Sequence, residues 1–162
     1  MMNNRIAMFP GTFDPPTKGH LNIVSRAAKL YDRLFVVVAD NVNKKCLFSA
    51  EERVKMIKHL LNENSNIEVV AFQGLVVDFA KKTNIGVLVR GVRALADFNY
   101  EFELAMTNKE LCPELEIIFL PTDSHYFLLR SSSIKEIASF GGDVSNMVPD
   151  LVLNEIKKKL AK

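Results

Sequence analysis

The sequence predicts an α/β domain built on a doubly wound, parallel five-stranded sheet, and three observations carry that expectation. Short apolar runs rich in β-branched residues recur along the chain, stretches with helical spacing separate them, and Gly-, Pro- or charge-bearing loops follow their carboxyl ends. Continuous apolar runs mark strands covered on both faces, as in a parallel sheet with helices above and below. The 162 residues are expected to form one domain over positions 1–162, long enough for a substantial core.

Ile6–Phe9 reads as the first strand, stopped by Pro10. Leu21, Val24, Ala27, Ala28 and Tyr31 space the apolar stripe of a first helix, and Leu34–Ala39 is the second strand. Ser49 and Glu52 form a capping box that opens a helix reaching about Asn62. Ile67–Phe72 is the third strand and Leu75–Lys82 a short third helix. Val87–Val89 is the fourth strand, followed by a helix over Ala96–Leu111 that Cys112-Pro113 ends. After a last strand at Leu115–Leu120, two helices are expected over Ser131–Phe140 and Asp150–Ala161, separated by Gly141-Gly142-Asp143. Val152, Ile156 and Leu160 form the buried stripe of the final helix, which leaves Lys157-Lys158-Lys159 as a solvated face.

Composition narrows the function. With 48% hydrophobic and 25% charged residues the chain is ordinary for a soluble globular protein. A net charge of +2 is too small to argue for nucleic-acid wrapping, and the apolar runs are too short to cross a bilayer, so neither nucleic acid nor membrane is an expected partner. No signal peptide is read after Met1-Met2-Asn3-Asn4-Arg5, and Cys46 and Cys112 lack CxxC spacing. Free thiols and a cytoplasmic location are the expectation. No His, Cys or carboxylate cluster has metal-ligand spacing, so no protein metal site is expected.

In a doubly wound sheet the ligand binds beyond the carboxyl ends of the strands, where strand order reverses. The loop Gly11-Thr12-Phe13-Asp14-Pro15-Pro16-Thr17-Lys18-Gly19-His20 leaves the first strand and delivers His20 to a helix start, where backbone N–H groups and the dipole favour phosphate. Gly11 suits a tight turn, Thr12 offers a hydroxyl, and Gly19 is expected to leave room for a polyphosphate. A histidine here has two readings: an exposed first-turn residue behind a Thr17 cap, or a group facing phosphates. The joint presence of the Gly-Thr-Phe-Asp-Pro segment and the Gly-His pair favours the second. Other positions keep two readings. Lys44-Lys45 is a solvated pair or an anion site, Arg90 a strand-end salt bridge or an anion ligand, and Glu101 a helix-surface partner or a site residue. Ser131 or Ser132 caps a helix, holds a phosphate, or does both; Asp14, the carboxylate nearest the phosphates, equally suits a turn-stabilising role.

Thr17-Lys18-Gly19-His20 resembles the (H/T)xGH signature of the nucleotidylyltransferase superfamily. Pro10–Pro15, Lys44-Lys45 with Phe48–Arg53, Arg90-Gly91-Val92-Arg93-Ala94 with Asp97–Glu101, and Ser131-Ser132-Ser133 are similar, in order, to the phosphopantetheine adenylyltransferases. The resemblance covers essentially the whole chain, and the RGxRAxxDFxYE stretch is its most specific part. It implies a Rossmann-like nucleotidylyltransferase fold and transfer of the adenylyl group of ATP to 4′-phosphopantetheine, a reversible reaction giving dephospho-coenzyme A and pyrophosphate. This is the penultimate step of coenzyme A synthesis.

By that resemblance His20 stabilises charge on the α-phosphate, and Thr12 lies between ATP and the attacking phosphate. Lys44, Val76 and Arg90 bind the phosphopantetheine side. Phe13, Gly91, Val92, Arg93 and Glu101 match ATP-binding positions, with Arg93 on the terminal phosphates, and the stretch Tyr126, Phe127, Leu128, Leu129, Arg130, Ser131, Ser132 matches another. The resemblance further implies Mg²⁺ carried by ATP oxygens, a homohexamer arranged as a dimer of trimers, and feedback by coenzyme A. Two departures stand out: Lys18, where asparagine is frequent, is expected to add positive charge beside the phosphates, and Leu129-Arg130 replaces Phe-Ile. The competing functions are another nucleotidylyltransferase of this fold, against which the Arg90–Glu101 block argues, and a non-catalytic nucleotide sensor.

Overall fold

The computed structural model describes residues 5–41 and 45–161. In chain order the elements are β1 (Ile6–Gly11), α1 (Lys18–Ala28), β2 (Arg33–Ala39), α2 (Ala50–Leu60), β3 (Ile67–Phe72) and α3 (Val76–Thr83). They continue with β4 (Val87–Val92), α4 (Leu95–Leu111), β5 (Glu116–Pro121), α5 (Ser131–Ser139) and α6 (Asp150–Leu160), a 3₁₀ turn at Ser124–Tyr126 preceding α5. Each expected strand and helix is present. β4 runs on past Val89 because Arg90, Gly91 and Val92 pair with Phe119, Leu120 and Pro121 of β5, a ladder that polar and glycine residues do not announce in an apolar pattern.

All strand pairs are parallel, in the order β3-β2-β1-β4-β5. The chain adds strands outward from β1 on one side and then crosses back to the other. The order therefore reverses between β1 and β4, and the loops leaving these two strands part to form a crevice.

Side chains alternate along β1 and so bind both helical layers. Ala7 and Phe9 pack with Ile23, Val24 and Ala27 of α1 and Ile57 of α2, whereas Met8 faces Val77 and Phe79 of α3. Glycine 91 has a packing role here, since a Cβ would stand 3.1 Å from Ile23 Cγ1 and push α1 off the sheet. A third cluster holds no strand residue. Phe48, Met56, Ile134, Val148, Val152 and Ile156 join α2, α5 and α6, and this seats α5 beside the crevice. The expectation of strands buried on both faces holds for β1 and β2 and fails at the sheet edges. β3 and β5 have one neighbour each, and alternate β5 residues, Glu116 and Ile118 among them, are exposed. α4 has no single apolar face: Ala105 is buried, while Leu95, Tyr100, Phe102 and Met106 are exposed.

Candidate active site

A cleft of about 760 Å³ opens between the carboxyl ends of β1 and β4, within the size range of small-molecule sites. Its floor is the loop from β1 to α1. Phe13 takes a left-handed φ of 51° and folds its buried ring back over Gly11, where a Cβ would lie only 2.9 Å from Phe13 Cζ. Glycine is thus required at position 11 by the neighbouring ring, which meets the His20 imidazole edge-on with centroids 5.0 Å apart.

Thr17 and His20 close a reciprocal cap on α1. The His20 N–H donates to Thr17 Oγ1 at 3.2 Å, and the Thr17 N–H donates to His20 Nδ1 at 3.1 Å. A backbone N–H can only donate, so Nδ1 must be the unprotonated nitrogen and the ring proton sits on Nε2. Burial, with the Arg93 guanidinium second, pulls this imidazole from 6.5 down to about 4. At neutral pH His20 is a neutral hydrogen-bond donor on the wall of the cleft. Both readings of the residue are partly met: Thr17 caps the helix, and the ring lines the cavity instead of standing in solvent.

Lys18 corrects its expectation. Its ammonium donates to Ser145 O at 3.2 Å and its N–H to Met147 O, so the side chain ties α1 to the loop before α6 and is not a lining residue of the cleft. Gly19 lines the cleft but its room is taken by protein, because a Cβ there would rest against Tyr126 and Leu129 Cβ at ordinary contact distance.

The opposite wall comes from β4 and α4. Arg90 Nε and Nη2 both lie 2.5 Å from Glu101 Oε2, and Nη1 donates to the Pro10 carbonyl. The two local readings merge, since the strand-end arginine and the helix carboxylate are each other's partners and both line the cleft. Arg93 donates to the Leu129 carbonyl at 2.7 Å and meets Asp97 Oδ2 at 3.0 Å, while Arg130 reaches Asp97 Oδ1 at 3.3 Å. One carboxylate therefore holds two guanidinium groups at the cleft rim.

At α5 the serine run does not cap. Helix α5 begins at Ser131, its N-cap is Arg130 without a side-chain bond, and the Ser131 hydroxyl donates instead to Pro15 O at 2.9 Å. The first-turn N–H groups are thus left for an anion, beside lining residues Ser131 and Ser132. Of the expected site residues, Thr12, Phe13, His20, Arg90, Gly91 and Arg93 line the cleft. So do Val76, Glu101 and the stretch Leu129–Ser132. Val92, Tyr126, Phe127 and Leu128 are not lining residues: Tyr126 packs against Gly19, and Phe127 and Leu128 project outward. Lys44 lies outside the described residues; its neighbours Lys45 and Cys46 line the cleft.

Sequence reasoning missed the supports. Arg53 is 1% exposed, yet it donates to the carbonyls of Thr12 (2.7 Å), Ala39 (3.2 Å) and Phe48 (3.1 Å) and pairs with Asp40. It locks the floor of the cleft to the end of β2 and the start of α2. The signal was its place on the stripe with buried Met56 and Ile57, at i+3 and i+4. Asp14 ties its loop to the segment before α2 instead of bonding within its own turn: Oδ1 accepts from Phe48 N and Oδ2 from Leu47 N, and Lys135 pairs with it at 2.7 Å.

Residues 8–137 match the model of the cytidylyltransferase-like family. Over 153 residues the chain is 48% identical to a protein of Dictyoglomus thermophilum named phosphopantetheine adenylyltransferase, covering 94% of this chain and 93% of that one. Over 156 residues it is 47% identical to a Clostridium botulinum protein of the same name, covering 96% and 95%. A solved structure described as a nicotinate-nucleotide adenylyltransferase from Vibrio parahaemolyticus superposes with a TM-score of 0.71, covering 96% of this chain and 92% of that one. At 17% identity that likeness speaks for the fold alone.

Proposed function

The chain belongs to the cytidylyltransferase-like family and, within it, to the phosphopantetheine adenylyltransferases, and on that premise we propose which of its residues carry the reaction. The enzyme transfers the adenylyl group of ATP to 4′-phosphopantetheine, giving dephospho-coenzyme A and pyrophosphate. The nucleophile is a phosphate monoester with a second pKa near ~6, already dianionic at neutral pH, so no general base is required. An oxygen of that dianion forms the new bond to the α-phosphorus of ATP, and the bond to the pyrophosphate oxygen breaks in line. The protein must bring two polyanions together, hold them aligned and meet charge that builds on the α-phosphate.

His20 serves the last need through Nε2–H, its tautomer set by the Thr17 N–H. Because the ring is neutral, it supplies a directed donor, and the positive charge comes from elsewhere. Arg93, Arg130 and the uncapped start of α5 serve the ATP phosphates; Arg90, aligned by Glu101, serves the phosphopantetheine phosphate, with Thr12 between them and Val76 beside the pantetheine arm. Lys44 takes its acceptor-binding role from the family resemblance alone. Phe13 and Gly91 line the ATP side. Mg²⁺ arrives on ATP oxygens. In support, Asp14, Asp97 and Glu101, the carboxylates lining the cleft among the described residues, are all engaged by lysine, arginine or backbone N–H, and so do not fit a protein-held metal.

The observation that carries this assignment is the convergence of the His20 donor, Arg90 of β4, Arg93 just beyond it and the free α5 start on one crevice at the strand reversal. Purified protein with ATP, Mg²⁺ and 4′-phosphopantetheine is expected to release pyrophosphate, and to make ATP from dephospho-coenzyme A in reverse. His20→Ala is expected to fold, keep partial ATP binding and lose about 10²–10³-fold in turnover. A wild-type protein that releases no pyrophosphate refutes the reading.

The assembly is a homohexamer, a dimer of trimers, with the exposed apolar residues of α4 as its contact surface. Coenzyme A, chemically close to the product, competes for the same cleft. Among the described residues no helix is long and apolar enough to cross a membrane. A cytoplasmic location is the reading that suits the free thiols Cys46 and Cys112.

A further inference from the structure

We propose that the ring of Phe13 positions His20 for the transfer step, acting through the imidazole without touching either substrate; the proposal rests on the adenylyl-transfer reading above. A bulky side chain on a left-handed residue is a departure that the surrounding fold must hold in place, and a φ of 51° puts Phe13 there. Among the described residues the other non-glycine with positive φ is Asn84, which ends α3, an ordinary place for it. Burial alone does not call for the left-handed turn at Phe13, because an extended residue also delivers a ring to a core. What the turn does is send the ring back over Gly11, into the space a Cβ would take. At 2% exposure Phe13 has no ring face left for a ligand. It stands instead as the middle of three aromatic rings, 5.6 Å from Phe9 of β1 and 5.0 Å from His20, both contacts edge-to-face.

His20 needs that contact. Its Nδ1 accepts the Thr17 N–H at 3.1 Å and lies 3.1 Å from Thr17 Oγ1, which pins one corner of the imidazole. Nε2 lies across the ring from that corner, so a hinge at Nδ1 alone leaves the donor free to swing. Edge-to-face packing on Phe13 removes this freedom. It also ties the imidazole, by way of Phe9, to the middle of the sheet, where Phe9 pairs with Val36 of β2. Placement matters because moving a catalytic group by about 1 Å can cost on the order of 10²-fold in rate. The same ring helps keep water from the imidazole, in line with burial as the first cause of its lowered pKa, ahead of Arg93. Gly11, the left-handed turn at Phe13 and His20 are therefore parts of one arrangement. The Gly-Thr-Phe segment owes two of its residues to the histidine at the far end of the loop.

A double-mutant cycle separates this role from support of the core. Phe13→Leu keeps apolar bulk and removes the ring. It is expected to lower kcat about 10-fold, with the KM for ATP and the KM for phosphopantetheine each within about twofold of wild type. In a His20→Asn background the same substitution is expected to change kcat by less than about twofold, since the group it acts through is gone. Equal losses in the two backgrounds overturn the proposal, as does wild-type kcat in Phe13→Leu or a rise in the KM for ATP with kcat unmoved. Where Phe13→Leu does not fold, Phe13→Met runs the same cycle under the same criteria. NMR of the wild-type protein adds a measurement that needs no variant: nuclear Overhauser effects between the Phe13 and His20 ring protons are expected, and their absence overturns the proposal. A wild-type control that releases no pyrophosphate sinks the adenylyl-transfer reading instead.

Discussion

Protonation of His20 is predicted to unfold the site long before it aids catalysis. In the free enzyme the imidazole titrates at about 4, below its ordinary 6.5, because burial and then Arg93 disfavour the cation. In the unfolded chain it titrates near 6.5, so between these values the unfolded state binds more protons and stability falls as pH falls. The contribution is fully present above pH 6.5, declines through pH 5 and is exhausted below about 4. At about 1.36 kcal/mol for each pKa unit the whole loss is about 3 kcal/mol. Urea denaturation between pH 7.5 and 4 measures it. His20→Asn, which cannot titrate, is expected to flatten that curve by this amount, and the NMR shift of the His20 ring should move with a midpoint near 4. A kinetic consequence follows. The acid limb of kcat/KM is expected near pH ~6, set by the second ionisation of the phosphate nucleophile, and to persist in His20→Asn. A His20 midpoint at or above 6.5 in the free enzyme, or an acid limb that disappears with His20, refutes the assignment of a neutral donor.

Other outcomes follow from the supports. Arg53→Met leaves the Thr12, Ala39 and Phe48 carbonyls without their donor and is expected to cost about 3 kcal/mol in chemical denaturation, with kcat reduced because the floor loop is loosened; an unchanged midpoint contradicts the role. Lys18→Ala removes only a bond to Ser145 and is expected to leave the KM for ATP within about twofold, so a large rise would restore Lys18 to the phosphate site.

The elements and their order were legible because the strands are apolar runs and most helices carry an apolar stripe, α4 excepted. Ser49-x-x-Glu52 announced its helix start correctly, and the capping box closes in the structure. Thr17-x-x-His20 is harder to read, because histidine takes the place of the acidic N3 residue and the same geometry then serves chemistry. What the sequence withheld was partner choice. Nothing local says that Arg90 meets Glu101, that Asp97 divides itself between Arg93 and Arg130, or that Ser131 bonds Pro15, since each contact spans elements whose packing must form first. Lys135 drew no notice because a lysine in mid-helix ordinarily faces solvent. Arg53 escaped for the opposite reason, a charge placed where an apolar residue was due.

The cleft's own ionic balance bears on how its reactants arrive. Among the described residues Lys45, Arg90, Arg93, Arg130 and Lys135 line it against Asp14, Asp97 and Glu101, a surplus of two positive charges. That surplus gives the crevice an attractive field for a polyanion. Encounter with ATP should therefore be guided, and slowed by added salt far more than departure is. Sulfate or inorganic phosphate in a buffer will occupy the same field, and association rates measured in their presence will fall short of those in chloride.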